Sequence, residues 1–127
     1  MAAFNIINVA NINNGAATVL PANTARTALN TAPATGHTFE IGSVTATNNT
    51  ATAATATVEY YDGTNYRNIC YQVSVPGNAA LIVVDKSQGM TLVDTATQSS
   101  GGAGSVIHVT SGTASALTYV MAFKDLS

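Results

Sequence analysis

Short runs of alternating apolar and polar residues, separated by turn residues, constrain the fold of this chain more than any other feature. The clearest run is Tyr66–Val75, in which every second position from Ile69 to Val75 is apolar, whereas Cys70 falls with the polar set. Side chains of a β-strand alternate between two faces, so this period of two predicts a half-buried strand. Because the pattern recurs at short intervals, the sequence predicts an antiparallel sandwich or barrel.

No segment carries the apolar spacing of an amphipathic helix over three turns, and the abundant Thr, Val, Asn and Gly are poor helix formers. We therefore predict an all-β fold, with residues 1–127 forming a single antiparallel β-sandwich, Ig-like or jelly-roll-like, of eight to nine strands. These strands are expected among ten apolar segments, which are Phe4–Val9, Ala17–Leu20, Ala25–Leu29, Thr38–Thr47, Thr55–Tyr61, Tyr66–Val75, Ala80–Val84, Met90–Val93, Ser105–Thr110 and Leu117–Phe123.

Turn residues and burial patterns refine this prediction. The tetrapeptide Asp62–Asn65 marks the strongest hairpin, and Asn11–Gly15 is predicted to be a turn because Asn-Gly readily adopts positive φ. The segment Ala80–Val84 is apolar at every position, which predicts a central place in its sheet.

The composition favours association with other proteins. Only 8% of the residues are charged, and the chain contains 22 Ala, 19 Thr and 12 Asn among its 127 residues. A surface of hydroxyls, amides and methyl groups hydrates adequately but repels neighbours weakly. Since Ala and Thr also make a thin core, we expect part of the stability to come from oligomerisation, with a homotrimer as the favoured state.

The charges exclude several classes of partner. Net charge is -2, and the four basic residues Arg26, Arg67, Lys86 and Lys124 are scattered, so we expect neither nucleic-acid nor membrane binding. The sole cysteine, Cys70, excludes an intrachain disulfide and a structural zinc cluster. No basic region precedes the first apolar residues, so we expect synthesis in the cytosol.

A search for catalytic chemistry finds no usable set of residues. The six carboxylates lack the spacing of a hydrolytic pair or a calcium loop, and Asp62 fits a turn role. His37 and His108 have no nucleophile elbow to serve, and Gly101–Gly104 precedes no helix that would hold a phosphate. The sequence therefore predicts a protein that is not an enzyme and needs no metal or cofactor.

Four tyrosines lie close together around the predicted hairpin, and they are Tyr60, Tyr61, Tyr66 and Tyr71. Aromatic rings in such an arrangement can stack on sugars, but they serve more often in core packing and protein contacts. We keep them as an alternative saccharide-binding or protein-binding surface.

Several segments resemble small β-sandwich virion proteins of tailed bacteriophages, in which a strand ending Val-Ser-Val-Pro-x-Asn-Ala precedes an apolar strand and a loop. The central one runs from Val73 through Pro76, Asn78 and Ala79 to Lys86. The other segments that carry the resemblance are Thr57–Gly63, Gly89-Met90, Leu29–Gly36 and Val106–Ala114.

The resemblance implies a structural role without catalytic residues. The expected function is that of a head decoration or cement protein that binds the lattice of the major capsid protein, so the chain would lie on the capsid surface of a virion assembled in the host cytoplasm. A tail, collar or fibre accessory is the alternative.

The N-terminal residues Met1–Asn14 leave two interpretations open. The apolar residues Phe4, Ile6, Ile7, Val9 and Ile12 exceed what a free terminus should expose. They fit an arm that adds a strand to a neighbour's sheet, or the first core strand of the chain's own sandwich. The glycine-rich loop Gln98–Gly104 is a second candidate for partner contact.

Overall fold

The computed structural model describes residues 11–95 and 103–127, and it is an all-β sandwich, as the alternation predicted. None of the helices in these two ranges is long and apolar enough to cross a membrane. The strands are β1 (Ile12–Val19), β2 (Thr27–Ala28), β3 (Thr38–Asn48), β4 (Ala54–Tyr61), β5 (Tyr66–Val75), β6 (Ala80–Val84), β7 (Thr91–Val93), β8 (Val106–Ser111) and β9 (Leu117–Leu126), with a 3-10 turn at Lys86–Gln88 between β6 and β7.

The strands form two antiparallel sheets. The five-stranded sheet has the order β1-β9-β3-β6, and the short β7 also pairs with β3. The long β3 pairs with β7 through Thr38–Glu40 and with β6 through Val44–Thr47, so both short strands lie along the same side of it. The four-stranded sheet has the order β2-β8-β4-β5.

The core lies between the two sheets and contains many small side chains. Its largest fully buried residue is Tyr119, whose hydroxyl donates to the Thr110 carbonyl at 3.0 Å and so pairs its polar group inside the core. Small residues contribute much of the rest, including the buried Ala46, Ala54 and Ala56. Each alanine buries little area, which limits the hydrophobic stabilisation of the core.

The predicted turn at Asn11–Gly15 is wrong. Ile12 begins β1, and Asn13, Asn14 and Gly15 pair in register with Asp125, Lys124 and Phe123 of β9. Because β9 continues to Leu126, it supplies partners for these residues, and this long-range pairing overrides their local preference for a turn. The predicted strand Phe4–Val9 and residues 98–102 of the glycine-rich loop lie outside the described residues.

The predicted central position of β6 is also wrong. In the described residues β6 pairs with β3 alone and therefore forms an edge of its sheet. The side chain of Ile82, in the middle of β6, is 67% exposed. Apolar residues on both faces of this strand thus mark an open edge rather than a strand covered on both sides.

The predicted alternation of β5 fails at Cys70 and Tyr71, whereas Ile69 and Val75 of its apolar face pack against the core. Register shifts on either side of Val58 pair it with Cys70 and then pair Glu59 with Asn68, and Gln72 has a φ of 48°. These irregularities turn Cys70 towards the core, whereas Tyr71 is 63% exposed. A bulge changes which side chains share a face, so strict alternation failed here.

Candidate functional site

Five polar and aromatic side chains form a cluster on the outer face of the four-stranded sheet. This outer cluster consists of Arg26, Glu59, Tyr61, Tyr66 and His108. Register places the side chains together, since Glu59 lies directly opposite His108 and Tyr61 directly opposite Tyr66. Arg26 immediately precedes β2, whose Ala28 also pairs with His108.

An ion pair with two hydrogen bonds connects the strands within the outer cluster. Arg26 Nε donates to Glu59 Oε1 at 2.9 Å, and Arg26 Nη2 donates to Oε2 at 3.1 Å. The hydrogen bond to Glu59 is the main cause that raises the pKa of Arg26 above its ordinary value. Two parallel bonds hold the planar guanidinium in one orientation, which fixes β2 against β4.

The same guanidinium covers an aromatic ring. Arg26 Cζ lies 3.7 Å from the centroid of the Tyr66 ring, a cation–π contact. Tyr61 and Tyr66 have ring centroids 4.6 Å apart with planes tilted by 32°. Arg26 therefore occupies one face of Tyr66, which remains 40% exposed.

The His108 ring packs against the rings of Tyr61 and Tyr66. It meets both rings edge-on, with centroids 5.7 Å and 5.1 Å away. Among the described residues, its buried Nδ1 has no hydrogen-bond partner within normal geometry. Burial lowers the pKa of His108 first and the charge of Arg26 lowers it further, while Glu59 acts in the opposite direction. The site thus favours a neutral imidazole.

The structure brings together only two of the four tyrosines predicted as a surface. Tyr61 and Tyr66 are in the outer cluster, whereas Tyr60 packs against the core and its hydroxyl shares a 2.9 Å hydrogen bond with Ser105 Oγ. Tyr71 is exposed farther along β5. Sequence reasoning missed Arg26, Glu59 and His108 as members of this surface. Alternation along the sequence indicates the outer faces of β4 and β8, which carry Glu59 and His108. No local pattern gives the register between these two strands, and none places Arg26 beside them.

Apolar side chains are exposed at the side of the sandwich where β5 and β6 contact each other. They are Tyr71 and Val73 on β5 and Ile82 on β6. Both strands are edges of their sheets in the described part of the chain. This side therefore combines apolar surface with backbone groups that are not paired within the described sandwich.

A shallow depression of about 180 Å³ lies on the five-stranded sheet. Its polar lining includes Asn14, Glu40, Lys86 and Lys124, and Glu40 pairs in register with Lys124 across β3 and β9. The carboxylate and the two ammonium groups give it mixed charge. Across residues 11–95 and 103–127, no three His, Cys, Asp or Glu side chains are grouped to hold a metal ion.

Of the residues predicted as a partner interface, the structure describes one. Ile12 begins β1 opposite Leu126, and its side chain is 56% exposed. Phe4, Ile6, Ile7 and Val9 lie outside the described residues. Ile12 thus belongs to the chain's own sheet while presenting its side chain for contact.

Comparison of the chain with protein-family models, with curated proteins and with solved structures found no match.

Proposed function

We propose that this chain is a non-enzymatic virion structural protein of a tailed bacteriophage, a capsid decoration protein that binds and stabilises the lattice of the major capsid protein. The observation that carries the proposal is the placement of the segment on which the family resemblance rests. Val73–Val84 contains the end of β5, the turn at Pro76–Asn78 and all of β6, and it includes exposed apolar side chains. This segment offers a contact surface for another protein.

The surface chemistry supports a protein partner. Tyr and Arg are enriched among the residues that contribute most to protein interfaces. Both are held in place in the outer cluster, which lowers the entropy that Arg26 would lose on binding. Low charge on the rest of the chain reduces repulsion from a lattice of other subunits. In this role, copies of the chain also associate with one another on the capsid surface.

The N-terminal segment supplies the capsid contact in this proposal. Residues 1–10 directly precede β1, an edge strand with the exposed Ile12 at its start. Their apolar residues Phe4, Ile6, Ile7 and Val9 alternate imperfectly but are numerous enough to add a strand to a neighbouring sheet.

The test combines imaging with a deletion. Cryo-electron microscopy of particles assembled with the major capsid protein should show the chain on the outer shell at side-chain resolution. Deletion of residues 1–10 should leave circular dichroism and the cooperative unfolding transition intact but abolish co-sedimentation with the shells. A matched variant that replaces exposed Ile12 by Ala should bind with modest loss. Absence of the full chain from such particles would refute the proposal.

A saccharide-binding tail, collar or fibre accessory is the second candidate, because Tyr61 and Tyr66 lie side by side and Tyr66 is partly exposed. Arg26 covers one face of Tyr66, which leaves less ring surface for stacking on a sugar. Binding of the chain to an array of bacterial surface glycans, lost on Tyr66→Ala and retained on Tyr71→Ala, would favour this function over capsid decoration.

A further inference from the structure

Strand β6 presents an open backbone edge in the described chain, with neither a charge nor a proline. Ala80–Val84 consists of five apolar residues. Asn48 N donates to the Ala79 carbonyl at 2.8 Å, and Thr47 is directly opposite Ala80. Hydrogen bonding alternates along an antiparallel ladder, so the backbone groups of Ala80 and Ile82 point away from β3.

Two of the other sheet edges of the described chain, β5 and β2, are guarded against pairing. Register shifts and the positive φ of Gln72 interrupt β5, which also carries the charged Arg67. Strand β2 has two residues. Strand β1 is uncharged and regular, but its Asn13, Asn14 and Gly15 are of residue types that strands disfavour, whereas β6 is apolar throughout. Bulges, charges and short length are the usual devices that prevent edge pairing. The stretch Ala80–Ile82 is short, but it is regular and uncharged, and the register shift of β6 lies beyond it.

We propose that β6 pairs antiparallel with β6 of a second copy of this chain, about a two-fold axis beside Leu81. Ala80 of one copy then lies opposite Ile82 of the other, and their outward N–H and C=O groups form four hydrogen bonds between the copies. The exposed Ile82 side chain fits beside the small Ala80. The pairing joins the two five-stranded sheets. It assigns the β6 part of the surface Val73–Val84 to self-association, and the capsid contact is then left to the N-terminal segment.

Self-pairing fits this edge for three reasons. The unpaired N–H and C=O groups of a strand edge are best matched by another strand. A two-fold axis places the uncharged Asn78 and Ala79 of one copy near Asp85 of the other, so like charges do not meet. After Val84 the chain turns back over β3, and Lys86 lines the depression together with Glu40. This segment therefore does not cover the outer edge of Ala80–Ile82. The register shift at Val83 lies just beyond this stretch.

The first measurement is the mass of the full chain by native mass spectrometry and light scattering at micromolar concentrations. We expect a dimer, and we expect Ile82→Lys to raise its dissociation constant roughly tenfold or more, because a charge on a strand edge opposes pairing. Ile12→Lys, on the β1 edge, is the matched control and should leave the dimer intact. Circular dichroism and urea unfolding of both variants verify that they fold.

The second measurement is cross-linking that tests the register. In a Cys70→Ser background, a mixture of Ala80→Cys and Ile82→Cys chains should form mixed disulfides with copper phenanthroline and oxygen as oxidant. Directly opposite hydrogen-bonded residues have Cα atoms about 5.5 Å apart, within disulfide range. Ile12→Cys chains should not cross-link.

Four results would overturn the proposal. They are a monomer, a trimer such as the composition suggested, a dimer that persists in Ile82→Lys, and a dimer abolished by deletion of residues 1–10, which would make the N-terminal segment the occupant of the edge.

Discussion

Arg26 and Glu59, 33 residues apart in the chain, form an ion pair with two nearly parallel hydrogen bonds on the outer face of a sheet. The carboxylate is the more enclosed partner, since Glu59 is 8% exposed whereas the Arg26 side chain is about half exposed. Removal of the cation alone therefore leaves an enclosed charge without its partner.

We predict that Arg26→Met lowers the free energy of unfolding and that the double variant Arg26→Met/Glu59→Gln recovers part of the loss. Breaking one side of an enclosed pair costs more than replacing both sides with uncharged groups. Urea unfolding of the wild type, both single variants and the double variant measures the coupling.

Arg67→Met is the matched control for the loss of one positive charge. Arg67 is exposed on the edge strand β5, and its replacement should change the free energy of unfolding by less than about 0.5 kcal/mol. Equal effects of the two arginine substitutions would show that the Arg26–Glu59 pair contributes nothing specific.

The stability of the fold should fall in mild acid because of His108. Burial and the charge of Arg26 hold the pKa of this imidazole below its ordinary value of 6.5. Between the folded and unfolded pKa values, the unfolded chain binds more protons than the folded chain. The contribution is therefore fully present above pH 6.5 and is lost as pH falls through the folded pKa, with a slope of at most ~1.4 kcal/mol per pH unit.

Urea unfolding at pH values from 7 to 5 measures this dependence. His108→Gln should reduce the change of the unfolding free energy with pH, because it removes the contribution of His108. His37→Gln, which alters the other histidine, should retain the contribution of His108. The chosen range lies above the ordinary titration of carboxyl groups. An unchanged slope in His108→Gln would contradict the assignment.

The sequence predicted strands where alternation and turn residues agreed. The bounds of β5 and β6 match the prediction because Asn65 and the Pro76–Asn78 turn flank clear apolar runs. The start of β1 differs from the prediction. Asn-Gly is a local turn signal, whereas the partner of this segment is β9, at the other end of the chain. Local preference carries no information about such a distant strand.

The outer cluster was harder to predict than the strands. Its members come from the segment before β2 and from β4, β5 and β8, and only sheet order and register bring them together. Register shifts beside Val58 also decide which side of β5 faces outwards, and a bulge has no reliable signature in a sequence of alternating small residues. Tyr61 and Tyr66 were found because a single hairpin joins them.

Cys70 should react slowly with thiol reagents in the folded chain. Its Sγ lies 3.7 Å from the Ala56 carbonyl on the core side of β5, and burial raises the pKa of the thiol. The thiolate is the reactive form, so both effects protect it. Ellman's reagent should modify the native chain much more slowly than the chain in urea, and Cys70→Ser should still assemble. Equal rates in both states would place the thiol in solvent.

The turn that joins the two edge strands should tolerate no side chain at Gly77. A Cβ there would overlap the Ala51 carbonyl group. Asn78 N donates to the Thr50 carbonyl at 2.9 Å, so backbone hydrogen bonding holds the two loops together. Neither loop can yield without losing that bond, and we expect Gly77→Ala to cost about 1–3 kcal/mol. Gly42→Ala is the control, because its Cβ would meet the Ala122 carbonyl at an ordinary 3.4 Å. Urea unfolding at one fixed protein concentration compares them. Because the turn positions β6, Gly77→Ala should also weaken self-association, whereas similar stability of both variants would mean that the loops separate without cost.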